Sequence, residues 1–133
     1  MLDSEEEQDQ LIREFLLECR DGVDRLDRDL ASLDQDPTNI EALSGVFRTF
    51  HTIKGTAGFL AFPKLASIAH AAENLSIGLR NGNLALNTGR AIALRQIVDT
   101  LRLILSSIGT TRTEGDLDCE RLLEDLGRLQ QRD

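Results

Sequence analysis

The chain has 133 residues, of which 41% are hydrophobic and 29% charged, and its formal net charge is -8. That is chain enough for one domain around a single core, while the acidity excludes nucleic acid and anionic membrane surfaces, both of which need a basic footprint. Aromatics are 4%, with no Trp or Tyr, so there is no stacking platform for bases.

The first helix is expected from about Ser4 to Leu33. Ser4 and Glu7 have capping-box spacing, and Leu11, Ile12, Phe15, Leu16, Cys19, Val23, Leu26, Leu30 and Leu33 recur at helical spacing. The opposite face, with Asp21, Asp24, Arg25, Asp27 and Arg28, is a solvated one. Asp36-Pro37 ends the helix, because proline biases the preceding residue away from the α region. Thr38, with Glu41 three residues on, starts a second helix through Leu43, Val46, Phe47, Phe50, Ile53 and Ala57 to about Leu60. Pro63 cannot continue that helix but suits the first turn of a third. The third helix runs to Arg80 and buries Leu65, Ile68, Ala69, Ala72, Leu75 and Leu79. Asn81-Gly82-Asn83 is a turn.

Thr88 is expected to cap a fourth helix with Ile92, Leu94, Ile97, Val98, Leu101, Ile104, Leu105 and Ile108 inward, and Gly109 to close it near 108. A flexible connection over about 109–116 then leads to a fifth helix over about 117–130, with Leu122, Leu123, Leu126 and Leu129 as its apolar face. Long helices joined by short polar turns predict an all-α, antiparallel up-and-down four-helix bundle with an additional C-terminal helix, forming one domain. Cys19 and Cys119 lie in helical patterns without metal-ligand spacing and are expected to be buried, reduced thiols. Neither a secretory signal nor an apolar run of the ~20 residues that span a bilayer is present, so a cytoplasmic location is expected.

His51-Thr52-Ile53-Lys54-Gly55-Thr56-Ala57-Gly58-Phe59-Leu60-Ala61-Phe62 departs from this pattern. Each interior glycine weakens a helix by roughly 1 kcal/mol relative to alanine. At about 100° per residue, His51 lies roughly 100° from the core line of its helix, at the border with solvent. Ser44, Gly55, Gly58 and Phe62 project into the same sector, and Lys54 lies one turn along. The glycines either permit close helix packing or leave clearance for a partner.

On the third helix Glu73 falls roughly 90° from the core line by the same geometry. Antiparallel packing would let Glu73 reach one ring nitrogen of His51, fix the tautomer and leave the other nitrogen as nucleophile. Lys54 would supply a point charge for phosphoryl oxygens. Separately, each has a plainer reading: a structural histidine, a surface carboxylate, a snorkelling lysine. His70 has no partners that would make it a metal ligand, and no metal site is expected. Lys54-Gly55-Thr56-Ala57-Gly58 lacks the spacing and preceding strand of a nucleotide-binding phosphate loop.

The stretch from His51 to Phe59 resembles the phosphoacceptor motif of histidine-containing phosphotransfer (HPt) domains, most of all the N-terminal domain of CheA-type chemotaxis histidine kinases. Its family pattern is approximately H-S/T-I-K-G-x-A/S-G-x-x-G-F. His70-Ala71-Ala72-Glu73-Asn74 is similar to the family's H-x-x-E-N segment at the usual separation. The resemblance covers nearly the whole chain and implies a two-component phosphocarrier. In it His51 accepts a phosphoryl group from a kinase catalytic domain and passes it to an aspartate of a CheY-like response-regulator receiver. It also implies that Lys54 stabilises the phosphate, that Glu73 orients His51, and that Gly55, Gly58, Phe59 and Phe62 form the docking surface. No cofactor is bound by the domain itself; ATP and Mg²⁺ come with partner domains, and no autonomous kinase activity is expected.

Two positions depart from the pattern: Thr56 and Ala61 stand where members often carry glycine, adding small side chains near the docking surface. The chain is expected to be either a fragment of a larger kinase or a stand-alone phosphocarrier. An alternative of another class is a non-catalytic helical docking or dimerisation module with a structural histidine and an apolar groove near Phe59 and Phe62.

Overall fold

Helix-forming periodicity sustained over most of the chain leaves only turns between helices, and the computed structural model, which describes residues 4–132, is all-helical over them. The helices are α1 (Ser4–Gln35), α2 (Ile40–Phe59), α3 (Pro63–Arg80), α4 (Thr88–Thr111) and α5 (Glu120–Leu129). Helix α1 packs on α2 and α4, and α3 closes the ring by packing on α2 and α4. This is the up-and-down four-helix bundle, with α5 added against α3 and α4. Phe50, Leu26, Leu65, Ile68, Leu75, Leu94, Leu101 and Ile108 fill the centre.

The helix ends differ from the sequence expectation in instructive ways. Ser4 is already helical rather than preceding α1. Asn39, not Thr38, caps α2 by accepting a hydrogen bond from the Ala42 amide, and Asn87, not Thr88, caps α4 by accepting from the Arg90 amide. A threonine stands beside an asparagine at both places, and asparagine is the stronger cap. Thr38 instead donates its amide and hydroxyl to the Asp36 carboxylate in the preceding turn. Gly109 does not end α4, which continues to Thr111 and stops where Arg112 turns left-handed at φ 62°. Helix α5 begins at Glu120, three residues later than expected. Leu11 and Ile92, assigned to apolar stripes, are exposed, and Phe47 is half-buried.

The stretch between α4 and α5 is tied down at several points. Arg112 donates to Asp9 of α1 at 2.7 Å. Glu114 accepts from the amides of Lys64 and Leu65 at 3.2 and 2.7 Å, a carboxylate cap on the N-terminus of α3 supplied from far along the chain. Arg90 is 2% exposed and donates to the carbonyls of Ala85, Leu129 and Gln131. It thereby joins the start of α4 to the end of α5, where carbonyls without helical partners favour a cation. Both cysteines are buried free thiols, and burial pushes the Cys19 thiol up to about 12.

The α2–α3 corner sets the register of the two helices. After Leu60 the Ala61 amide donates to Gly58 and the Phe62 amide to Ala57, at 3.2 and 2.9 Å. That is a Schellman closure, whose left-handed position is normally glycine. Here Ala61 occupies it at φ 62°. Phe62 then turns inward and Pro63 opens α3.

Candidate functional site

The most extensive helix contact in the bundle is between α2 and α3, and the short corner between them makes the two run antiparallel. This brings residues 22 apart in sequence together: His51 Nδ1 lies 2.5 Å from Glu73 Oε2. Lys54, one turn beyond His51 on the same helix, donates Nζ to Glu73 Oε1 at 2.8 Å. One carboxylate therefore holds both groups, one oxygen each. Side-chain exposure grades outward, 7% for Glu73, 31% for Lys54 and 62% for His51.

Charge on Glu73 is retained despite its burial. Burial pushes its carboxyl up, but the hydrogen bonds from Lys54 and His51 more than offset this and hold it below the usual carboxylate range. An ionised carboxylate can only accept, so the shared proton belongs to His51 Nδ1 and the lone pair to Nε2. Nε2 makes no hydrogen bond among the described residues. Oriented through Nδ1 and open at Nε2, an imidazole so placed can act as a nucleophile through Nε2.

Two further residues set the ring plane, and neither was expected at the site. Phe47 stacks on His51 with centroids 5.8 Å apart and planes at 26°, and the Arg80 guanidinium lies 4.2 Å above the Phe47 ring. Phe47 precedes His51 by one helical turn and Arg80 follows Glu73 by two, spacings that place them on the same faces. The sequence signal was present but was absorbed by assigning Phe47 to the core.

Gly55 and Gly58 do not serve helix packing. A Cβ at Gly55 or Gly58 would meet nothing within 4 Å, so neither admits a neighbouring helix. The close approach of α1 and α2 uses other glycines: a Cβ at Gly22 would lie 3.2 Å from Thr49, and one at Gly45 only 2.3 Å from Asp29. Phe59 extends the open strip and is 79% exposed. Phe62, expected on that surface, is instead 6% exposed and stacks on Phe15 at 5.7 Å. The Schellman corner reverses the chain before Phe62, so extrapolating α2 to that residue gave the wrong face. Thr56 folds its hydroxyl back onto the Thr52 carbonyl at 3.0 Å. His70 is exposed and apart from the cluster, and no group of three potential metal ligands occurs among the described residues.

Comparison with known proteins gives concordant matches. The Hpt domain family model matches residues 10–104. The chemotaxis protein CheA of Halobacterium salinarum is 34% identical over 110 residues, covering 83% of this chain and 16% of that protein. CheA of Treponema pallidum is 29% identical over 99 residues, covering 74% of this chain and 12% of that protein. The chain thus spans less than a fifth of the length of these relatives. Its fold is similar to the phosphorylated P1 domain of CheA3 from R. sphaeroides, solved in complex with CheY6. That match has a TM-score of 0.81 and 23% identity, and covers 90% of this chain and 94% of the other.

Proposed function

The chain belongs to the Hpt domain family, and from that membership we propose that it is a phosphocarrier of a chemotaxis-like two-component system with His51 as phosphoacceptor. The observation that carries this reading is the single carboxylate of Glu73 holding Nδ1 of His51 and Nζ of Lys54 together while Nε2 stays open. Nε2 attacks the γ-phosphorus of ATP presented by a histidine kinase catalytic domain. The N–P bond forms as the P–O bond to ADP breaks, with the electron pair leaving on ADP. The ring, still protonated at Nδ1, becomes positively charged, and Glu73 is already aimed at that developing charge. Lys54, held on the other oxygen of Glu73, supplies a cation for the phosphoryl oxygens.

Transfer onward reverses the roles. A receiver aspartate attacks phosphorus, the N–P bond breaks, and its electrons return to Nε2 as the ring is neutralised. Positioning and charge stabilisation carry phosphoryl transfer, so the domain needs no cofactor of its own; ATP and Mg²⁺ arrive with the partners. No helix among the described residues is long and apolar enough to cross a membrane, and the reading places the domain in the cytoplasm with those partners. Similarity to the sensor histidine kinase CheAY of Helicobacter pylori supports the kinase partner, and fold likeness to the CheA3 P1 domain solved with CheY6 supports the receiver.

Incubation with a CheA-type kinase core and ATP should give an acid-labile, alkali-stable phosphate on this chain. His51→Gln should abolish it while the helical signal is unchanged. Persistence of the label in that variant would falsify the assignment.

A further inference from the structure

The largest concentration of uncommitted positive charge on this acidic chain borders the exposed face of α2. A cleft of about 480 Å³ opens between α1 and α2, and Arg25, Arg28 and Arg48 line it. Elsewhere several arginines are engaged by carboxylates: Arg13 and Arg112 by Asp9, Arg95 by Asp34, Arg102 by Asp24 and Asp27, Arg128 by Asp125. The three cleft arginines form no ion pair or side-chain hydrogen bond among the described residues. All three act electrostatically on one group, Asp29, whose carboxyl burial pushes up against their pull. Gly45 makes room for that carboxylate against α2. With Glu41 also at the rim, three cations stand against two carboxylates, on a chain whose net charge is -8.

The cleft adjoins the phosphoacceptor. Arg48 precedes His51 by three residues and Thr52, another lining residue, follows it directly. On a helix, three residues advance about 4.5 Å and turn about 60° short of a full circle. A partner laid over His51 and the bare strip of Gly55 and Gly58 therefore also covers Arg48 and the mouth of the cleft. Guanidinium forks match carboxylates in pairs, and unpaired ones near a reacting group draw in and orient an acidic surface.

Resting on the phosphocarrier reading above, we infer that the Arg25–Arg28–Arg48 cleft is a docking site for a carboxylate-bearing face of the receiver domain that takes the phosphoryl group from His51. Repulsion between this acidic chain and a carboxylate-bearing face is countered locally, and the attraction fixes the angle at which the receiver aspartate meets phosphorus.

The test separates docking from chemistry. The wild-type chain and an Arg25→Ala, Arg28→Ala, Arg48→Ala variant are phosphorylated with phosphoramidate, a small donor that needs no docking. Transfer is then followed against concentration of the CheY-type receiver that drains the wild-type label fastest, at low and high salt. The cleft variant should label normally and keep its kcat. Its KM for the receiver should rise about tenfold at low salt, with most of the salt dependence gone. A control variant, Arg95→Ala, Arg121→Ala, Arg128→Ala, removes the same charge elsewhere and should keep the wild-type KM. An unchanged KM in the cleft variant, or an equal rise in the control, overturns the inference. Failure of the wild-type chain to take label from phosphoramidate contradicts the phosphoacceptor reading itself.

Discussion

Glu73 meets two opposing demands, burial at 5% exposure and retention of negative charge. Lys54 and His51 reconcile them by donating to its two oxygens. Because the folded carboxyl is held below its unfolded value, its contribution to stability is complete above the ordinary carboxylate range of about 4. That contribution is lost as pH falls through the lower, folded value. Glu73→Gln should therefore lose stability at neutral pH but show a shallower acid limb, read from urea midpoints between neutral pH and strong acid. The same variant should accept phosphate about 10- to 100-fold more slowly, the usual effect of removing a partner that orients a reacting histidine. An unchanged labelling rate contradicts the role given to Glu73. At Ala61 the left-handed backbone, φ 62°, strains any side chain, so Ala61→Gly should stabilise the domain by up to about 1 kcal/mol in thermal or urea unfolding.

Helix α2 carries a conflict between stability and access. Gly55 and Gly58 face open space, so Gly55→Ala and Gly58→Ala should each raise stability by up to about 1 kcal/mol. Both should slow transfer to protein partners while leaving phosphoramidate labelling unchanged. Equal transfer rates would show that the glycines are not clearance. Much of this element was legible beforehand. The spacing of His51, Lys54, Gly55 and Gly58 and the border position of Glu73 follow from helical geometry alone. Phe62 departs from the wheel because helical geometry stops applying at a corner, and the caps fall at Asn39 and Asn87, one residue from Thr38 and Thr88, because threonine and asparagine compete for the same role. Glu114 and Arg90 were invisible for a different reason. Their distant partners are backbone groups about 50 and 40 residues away, and no local pattern announces such a pairing.

For the molecule as a whole, α5 is the least independent part. It lies beyond the residues matched by the family model, yet buries Leu126 completely, and Arg90 donates to its last residue, Leu129, and to Gln131 just beyond it. Arg90→Met leaves several carbonyls without their donor, and should destabilise the bundle by about 2–4 kcal/mol. Amide exchange should rise first in residues 119–132, with labelling at His51 retained in the folded fraction; uniform loss of protection instead would mean that α5 is inseparable from the bundle. The four-helix frame, by contrast, exists to hold α2 against α3 so that one carboxylate can face one imidazole. The most direct measurement of that claim is nitrogen-resolved NMR of the phosphorylated, ¹⁵N-labelled chain. Phosphate is expected on Nε2 of His51 with a proton retained on Nδ1; phosphate on Nδ1, or on any other residue, contradicts that arrangement.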